Sequence, residues 1–115
     1  MYKPNFDRMV RRLLLVVGGL LLLAEPATSD ETTASVERGR QIAQDNCSTC
    51  HAIGTSGNSP LDGAPPFRKL HNSYPVEQLS ELFIEGVASP HSAMPDFHLD
   101  QDESNDMVAY LKSLE

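Results

Sequence analysis

The chain has 115 residues, of which nine are basic and sixteen acidic, and its formal net charge is −7 with His neutral. This length is enough for one small domain, and the strong negative charge excludes nucleic acid as a natural partner. The chain has three Tyr, four Phe and no Trp. Few large aromatic side chains are therefore available to build a hydrophobic core.

Residues 1–24 have the composition of an export signal, with a basic start and an apolar run. Four basic residues, Lys3, Arg8, Arg11 and Arg12, precede the uncharged run 13–24. At about 1.5 Å per residue, this run covers only about 18 Å of a hydrocarbon core about 30 Å thick. We therefore predict no permanent membrane span, and a periplasmic or otherwise exported product.

Cleavage of the leader is expected after Ala24, with Ser29 as a second candidate and an uncleaved anchor as the alternative. Removal of residues 1–24 leaves five basic and fifteen acidic residues, a net charge of −10. The next segment, 25–34, consists mostly of Ser, Thr, Ala and acidic residues without apolar periodicity. This composition predicts a flexible linker.

The first predicted helix begins at Ser35, which is a suitable N-cap residue. One helical face carries Val36, Gly39, Ala43 and Cys47, the spacing of an amphipathic helix. A glycine inside a helix costs roughly 1 kcal/mol relative to alanine. Its presence at position 39 therefore indicates a close crossing with another helix.

The segment Cys47-Ser48-Thr49-Cys50-His51 carries the C-x-x-C-H pattern by which haem c is attached. On a helical turn, positions 47, 50 and 51 stand in the i, i+3, i+4 relation and point to one face. Two thiols can then add to the haem vinyl groups while the imidazole coordinates the iron. The motif predicts Cys47 and Cys50 as covalent attachment points and His51 as an axial ligand.

Two other uses of this cysteine pair fit the sequence less well. A disulfide or a thioredoxin-like redox couple suits exported proteins, but such oxidoreductases need flanking strands in a βαβ pattern, which the sequence lacks. A zinc site would need further ligands, and neither a second C-x-x-C nor a paired histidine motif follows.

After the motif, the sequence predicts a loop and two further helices. Residues 53–64 are rich in Gly, Asn and Pro and predict an irregular loop. A second helix is expected from Pro75 to Gly86, with an apolar stripe made by Val76, Leu79, Leu82 and Phe83. For the last helix, Asp100 and Glu103 have the spacing of a capping box. Its apolar positions are Met107, Tyr110, Leu111 and Leu114.

With His51 on one side of the iron, the second axial position needs its own candidate. Met94 is the predicted ligand, because it precedes Pro95 and therefore belongs in a loop. In an anonymous sequence a methionine is more often a flexible filler of gaps in the core, the role we predict for Met107. His91 and His98 flank the same loop as weaker candidates, and His71 is weaker still.

Three stretches together resemble the small bacterial class I c-type cytochromes: Cys47 to His51, Ala93-Met94-Pro95-Asp96-Phe97, and Asp106-Met107-Val108-Ala109-Tyr110-Leu111. The resemblance covers about residues 34 to 115, so the domain is placed at 35–115. It implies an all-α fold of three to four helices around one covalently attached haem c, which would complete the core.

The same resemblance implies particular contacts. The N- and C-terminal helices should cross, with Tyr110 over Gly39. A backbone carbonyl of Ala64 or Pro65 should accept a hydrogen bond from the imidazole of His51. Independently of the resemblance, Arg68 or Lys69 is a candidate partner of a haem propionate.

The predicted function is one-electron transfer by an exported monohaem carrier, and no catalytic acid, base or nucleophile is proposed. The alternatives are a haem subunit of a larger oxidoreductase and, with an open sixth position, a gas-binding or peroxidatic haem protein. The partners are a redox donor and acceptor. No Lys or Arg lies between Leu70 and Leu111, where eight acidic residues fall, so we expect a partner with a basic docking face.

Overall fold

The computed structural model describes residues 28–86 and 93–115. In these ranges the helices are α1 (Thr28–Asn46), a 3-10 helix (Phe67–Asn72), a short 3-10 turn (Val76–Gln78) leading into α2 (Leu79–Glu85), and α3 (Gln101–Lys112). None of the described residues is in a β-strand, as the all-α prediction requires. The predicted leader, 1–24, lies outside the described residues.

The first helix starts earlier than the sequence suggested. Since α1 begins at Thr28, the predicted linker is wrong for residues 28–34, and Ser35 is not the N-cap. Asp30 and Glu31 lie in the first turn, where negative charge is favourable to the helix dipole. The polar composition that suggested a linker therefore suits an exposed helical start.

Helices α1 and α3 pack directly against each other at Gly39. A Cβ at this position would collide with the backbone carbonyl of Asp106 and would lie 2.7 Å from the Cβ of Tyr110. Only a glycine permits so close an approach. The structure thus confirms the predicted crossing of the N- and C-terminal helices, with Tyr110 over Gly39.

The start of α3 also agrees with the sequence. The Asp100 side chain accepts a hydrogen bond from the backbone N–H of Glu103 at 2.9 Å, and the Glu103 carboxylate accepts one from the backbone N–H of Asp100 at 3.0 Å. This reciprocal pair is the predicted capping box. It satisfies two N–H groups that would otherwise lack partners at the helix end.

A single apolar core joins the helices to the connecting segments. Its buried members are Ala43, Cys47, Phe67, Val76, Leu79, Phe83, Leu99, Met107, Tyr110 and Leu111. Met107 is only 1% exposed, which confirms its predicted role in core packing. Leu82 is 44% exposed, so its assignment to the apolar stripe of the second helix is wrong. Within the described ranges, no helix combines the length and apolar character needed to cross a bilayer.

Candidate haem site

The C-x-x-C-H motif follows α1 as a tight continuation of the helix. The backbone N–H of Cys47 donates to the carbonyl of Ala43 at 2.9 Å, and those of Cys50 and His51 donate to the carbonyl of Cys47 at 3.1 and 2.9 Å. The bond from His51 to Cys47 has the i to i−4 spacing of an α-helix. The first cysteine is buried, whereas Cys50 and His51 are half-buried.

Both cysteines are free thiols. Burial, followed by the neighbouring Cys50, raises the pKa of Cys47 to about 11. The side chain is therefore a neutral thiol at neutral pH. No disulfide joins these two cysteines.

His51 is held in one orientation by a backbone carbonyl. Its Nδ1 lies 2.8 Å from the carbonyl oxygen of Pro65. Because a carbonyl only accepts, Nδ1 must carry the proton, which leaves Nε2 with a lone pair for a metal. Pro65 is one of the two residues predicted for this contact.

Three further contacts, which the sequence did not reveal, support the motif. The Phe67 ring packs beside the His51 ring, with 5.2 Å between centroids and 43° between planes. The Phe67 N–H also donates to the carbonyl of Ala52 at 3.0 Å. On the other side, the Tyr110 hydroxyl donates to the carbonyl of Ile53 at 2.7 Å. Helix α3 is thereby joined to the segment that immediately follows His51.

Met94 lies half-buried in the non-helical segment 93–100 that precedes α3. The loop location predicted from Pro95 is therefore correct, while its role as iron ligand stays a prediction. Nδ1 of His98 lies 3.2 Å from the carbonyl oxygen of Ile84, so this histidine has a structural partner. His71 is exposed on the 3-10 helix, and His91 lies outside the described residues.

The donor set suits haem c. Two unjoined thiols and an imidazole with a free Nε2 lie within five residues, as covalent attachment and axial ligation require. Nη1 of Arg68 is buried without a hydrogen-bond partner in the described part of the chain, and a haem brings carboxylates of the kind such a group needs. The described residues contain no group of three His, Cys, Asp or Glu that could hold a metal ion.

The family described as "Cytochrome c" matches residues 36–115. The chain belongs to the cytochrome c family. It is similar to cytochrome c-552 of Bradyrhizobium diazoefficiens, with 26% identity over 97 residues that cover 83% of this chain and 89% of the relative. No solved structure matches the chain significantly.

Family membership confirms the small class I c-type cytochrome predicted from the sequence, with its all-α fold and covalently bound haem c. When bound, the haem iron accepts and releases one electron. The chain's own part is to hold and orient this group. Cys47 and Cys50 are the predicted attachment points, and the hydrogen bond from His51 Nδ1–H to the Pro65 carbonyl leaves Nε2 as the ring nitrogen that would coordinate the iron.

Proposed function

We propose that this cytochrome c is an exported one-electron carrier in which Cys47 and Cys50 hold the haem and His51 and Met94 are its axial ligands. The observation that carries the proposal is the hydrogen bond from His51 Nδ1 to the Pro65 carbonyl at 2.8 Å. It fixes the tautomer that an iron ligand needs, next to two cysteines that are not joined as a disulfide.

Two measurements test haem attachment and export. Acid–acetone treatment of the denatured protein should leave it red, with an intact mass equal to the polypeptide plus one haem. The mass should also show the loss of residues 1–24 or of a segment of similar length. A colourless product with the bare polypeptide mass would refute the attachment.

Ligation by Met94 would determine the chemistry of the iron. A thioether is a soft, neutral donor that favours the ferrous state and raises the reduction potential. With both axial positions filled by the protein, neither a gas nor a peroxide has ready access to the iron. For this reason we propose electron transfer without a catalytic role. Rapid binding of CO to the ferrous form at neutral pH would instead favour the gas-binding alternative.

The ligand assignment is tested by Met94→Ala. We expect the variant to lose the weak near-infrared band that a sulfur ligand gives to the ferric protein. Met107→Leu is the matched control, because it replaces a buried methionine of α3 by a residue of similar volume. The control should keep the band, and a Met94→Ala spectrum with the band unchanged would show that Met94 is not the ligand.

The eight acidic residues between Leu70 and Leu111 do not all have the same surroundings. Five of them have structural partners: Asp106 pairs with Arg38, Glu77 pairs with Lys112, Asp100 and Glu103 form the capping box, and Asp96 lies 3.7 Å from Nε2 of His98. By contrast, Glu81 and Glu85 are exposed and four residues apart on α2, hence on one side of that helix. We propose that this pair contributes to a negative face that docks onto a basic redox partner.

Small charged redox reagents test the negative face without knowledge of the partner. A cationic reagent such as hexaammineruthenium should react faster at low ionic strength, and Glu81→Lys with Glu85→Lys should slow it. Anionic ferricyanide should show the opposite trend. Rates unaffected by salt or by these substitutions would refute the proposal. Co-purification with a larger enzyme would indicate the subunit alternative.

A further inference from the structure

The segment that carries Met94 is closed at its base by contacts between residues 83–86 and 96–99. The backbone N–H of Leu99 donates to the carbonyl of Phe83 at 2.8 Å. One residue along on each side, Nδ1 of His98 lies 3.2 Å from the carbonyl oxygen of Ile84. These two bonds join the end of α2 to the chain just before α3, and Met94 lies between the joined points.

The imidazole of His98 lies directly against the backbone of Gly86. A Cβ on this glycine would be 2.5 Å from Cε1 and 3.0 Å from Nε2 of His98, and 2.9 Å from Oδ1 of Asp96. Gly86 also has φ of +97°, a conformation that side-chain-bearing residues rarely adopt. The glycine thus both ends the helix and leaves space for the histidine ring.

Apolar packing lies along the same junction. The rings of Phe83 and Phe97 are 6.0 Å apart between centroids, at 33° between planes. Phe83 and Leu99 are buried members of the core. His98, by contrast, has a side chain that is 60% exposed. Its hydrogen bond can therefore be removed without opening a cavity in the core.

We propose that His98 is a positioning residue for the sixth axial ligand. Through its bond to Ile84 and its contact with Gly86, it closes the base of the Met94 loop and so limits how far the methionine can move from the iron. This inference rests on the proposed function, in which Met94 is that ligand. The remaining contacts at the same junction, from Leu99 to Phe83 and between the two Phe rings, involve the buried core residues Phe83 and Leu99.

The proposal predicts how readily an external ligand replaces Met94. An external ligand can bind the iron only in the small fraction of molecules in which Met94 has moved away. Its apparent affinity is therefore its intrinsic affinity multiplied by that fraction. Loss of an ordinary hydrogen bond should raise that fraction about fivefold. Imidazole should therefore bind the ferric form of His98→Ala about fivefold more tightly than it binds the wild type.

Two further variants separate positioning from a general effect of substitution. His98→Asn keeps a donor near the position of Nδ1, so we expect it to restore imidazole affinity to near the wild-type value. His71→Ala removes an exposed histidine of the 3-10 helix and should leave the affinity unchanged. All variants are made in the full, haem-loaded chain and are compared at one neutral pH.

Hydrogen exchange supplies a readout that does not involve the iron. The Leu99 amide should exchange about fivefold faster in His98→Ala, because its bond to Phe83 lies next to the one removed. The Ser104 amide, which donates to Asp100 at 2.9 Å at the start of α3, should be unaffected.

The outcomes distinguish this inference from the proposed function. Wild-type imidazole affinity in His98→Ala, together with loss of the near-infrared band in Met94→Ala, would overturn the role of His98 and leave the ligand assignment intact. An unchanged band in Met94→Ala would overturn both. Tighter imidazole binding in His98→Ala that His98→Asn reverses would support the inference.

Discussion

Arg38 and Asp106, 68 positions apart in the chain, form a two-point ion pair between α1 and α3. Nε of Arg38 lies 2.6 Å from Oδ2 of Asp106, and Nη2 lies 2.9 Å from Oδ1. The Ser35 hydroxyl also donates to Oδ1, at 2.5 Å. Since the backbone of Asp106 is also what Gly39 contacts, one residue of α3 fixes the helix crossing through both its charge and its main chain.

This arrangement predicts that Asp106→Asn destabilises the protein in a pH-dependent way. The hydrogen bond from Arg38 lowers the pKa of Asp106, outweighing the opposite effect of its burial. A carboxyl group whose pKa is lower in the folded state contributes stability above its unfolded pKa, about 3.9, and loses it as the pH falls through the folded value. We expect a loss of about 1–2 kcal/mol at pH 7, measured by urea unfolding.

The deficit of Asp106→Asn relative to wild type should shrink as the pH is lowered below about 4, because the wild-type carboxylate then becomes protonated. Glu37→Gln is the matched control, since Glu37 forms an exposed pair with Arg40 three residues along α1. It should leave the unfolding curve nearly unchanged. A deficit for Asp106→Asn that stays constant down to pH 2 would show that the ion pair is not its cause.

Gly39→Ala should be strongly destabilising even though alanine favours helices. Its Cβ would collide with the carbonyl of Asp106, and this backbone can move only if α1 and α3 separate. We expect a loss of about 3 kcal/mol in the free energy of unfolding. Gly54→Ala is the control, because a Cβ there meets no atom within 4 Å. Equal effects of the two substitutions would argue against a tight crossing at Gly39.

The sequence predicted those features that depend on local pattern or on the family resemblance. The capping box at Asp100 is a pattern of four residues, and the attachment motif is a pattern of five. The crossing at Gly39 could be predicted because a glycine destabilises the interior of a helix, so that its presence there indicates a close contact. The resemblance implied that the carbonyl of either Ala64 or Pro65 accepts the hydrogen bond from His51, and in the structure it is that of Pro65.

Features that depend on residues far apart in the chain were missed. The ion pair between Arg38 and Asp106 could not be predicted from the sequence, because charged residues are common on the surfaces of helices. The start of α1 was misplaced because polar residues at a helix end have the composition of a linker. The contact of His98 with Gly86 could not be predicted, because it depends on how the two chain segments lie in space. Gly86 itself was recognised as the end of the second helix.

Tyr110→Phe should loosen the link between α3 and the segment after the haem motif. The hydroxyl donates to the carbonyl of Ile53 at 2.7 Å, and its removal leaves that carbonyl without this donor while the ring packing over Gly39 is kept. We expect a loss of about 1 kcal/mol in the free energy of unfolding and faster hydrogen exchange in residues 52–54. Tyr74→Phe, at a side chain that is 54% exposed, should change neither measurement.

Phe67→Ala should affect both stability and the environment of His51. The ring is 7% exposed and lies 5.2 Å from the imidazole between centroids, so its removal leaves a cavity beside the proposed axial ligand. The expected cost is about 3–4 kcal/mol, measured by urea unfolding. Shifts of the His51 ring signals in NMR spectra would report the altered packing.

Leu61→Ala is the comparison, because Leu61 is 41% exposed. Its N–H donates to the carbonyl of Cys50, a backbone bond that the substitution preserves. If Phe67→Ala cost no more than Leu61→Ala and left the His51 signals in place, the ring would not support the imidazole, and the Pro65 carbonyl alone would determine its orientation.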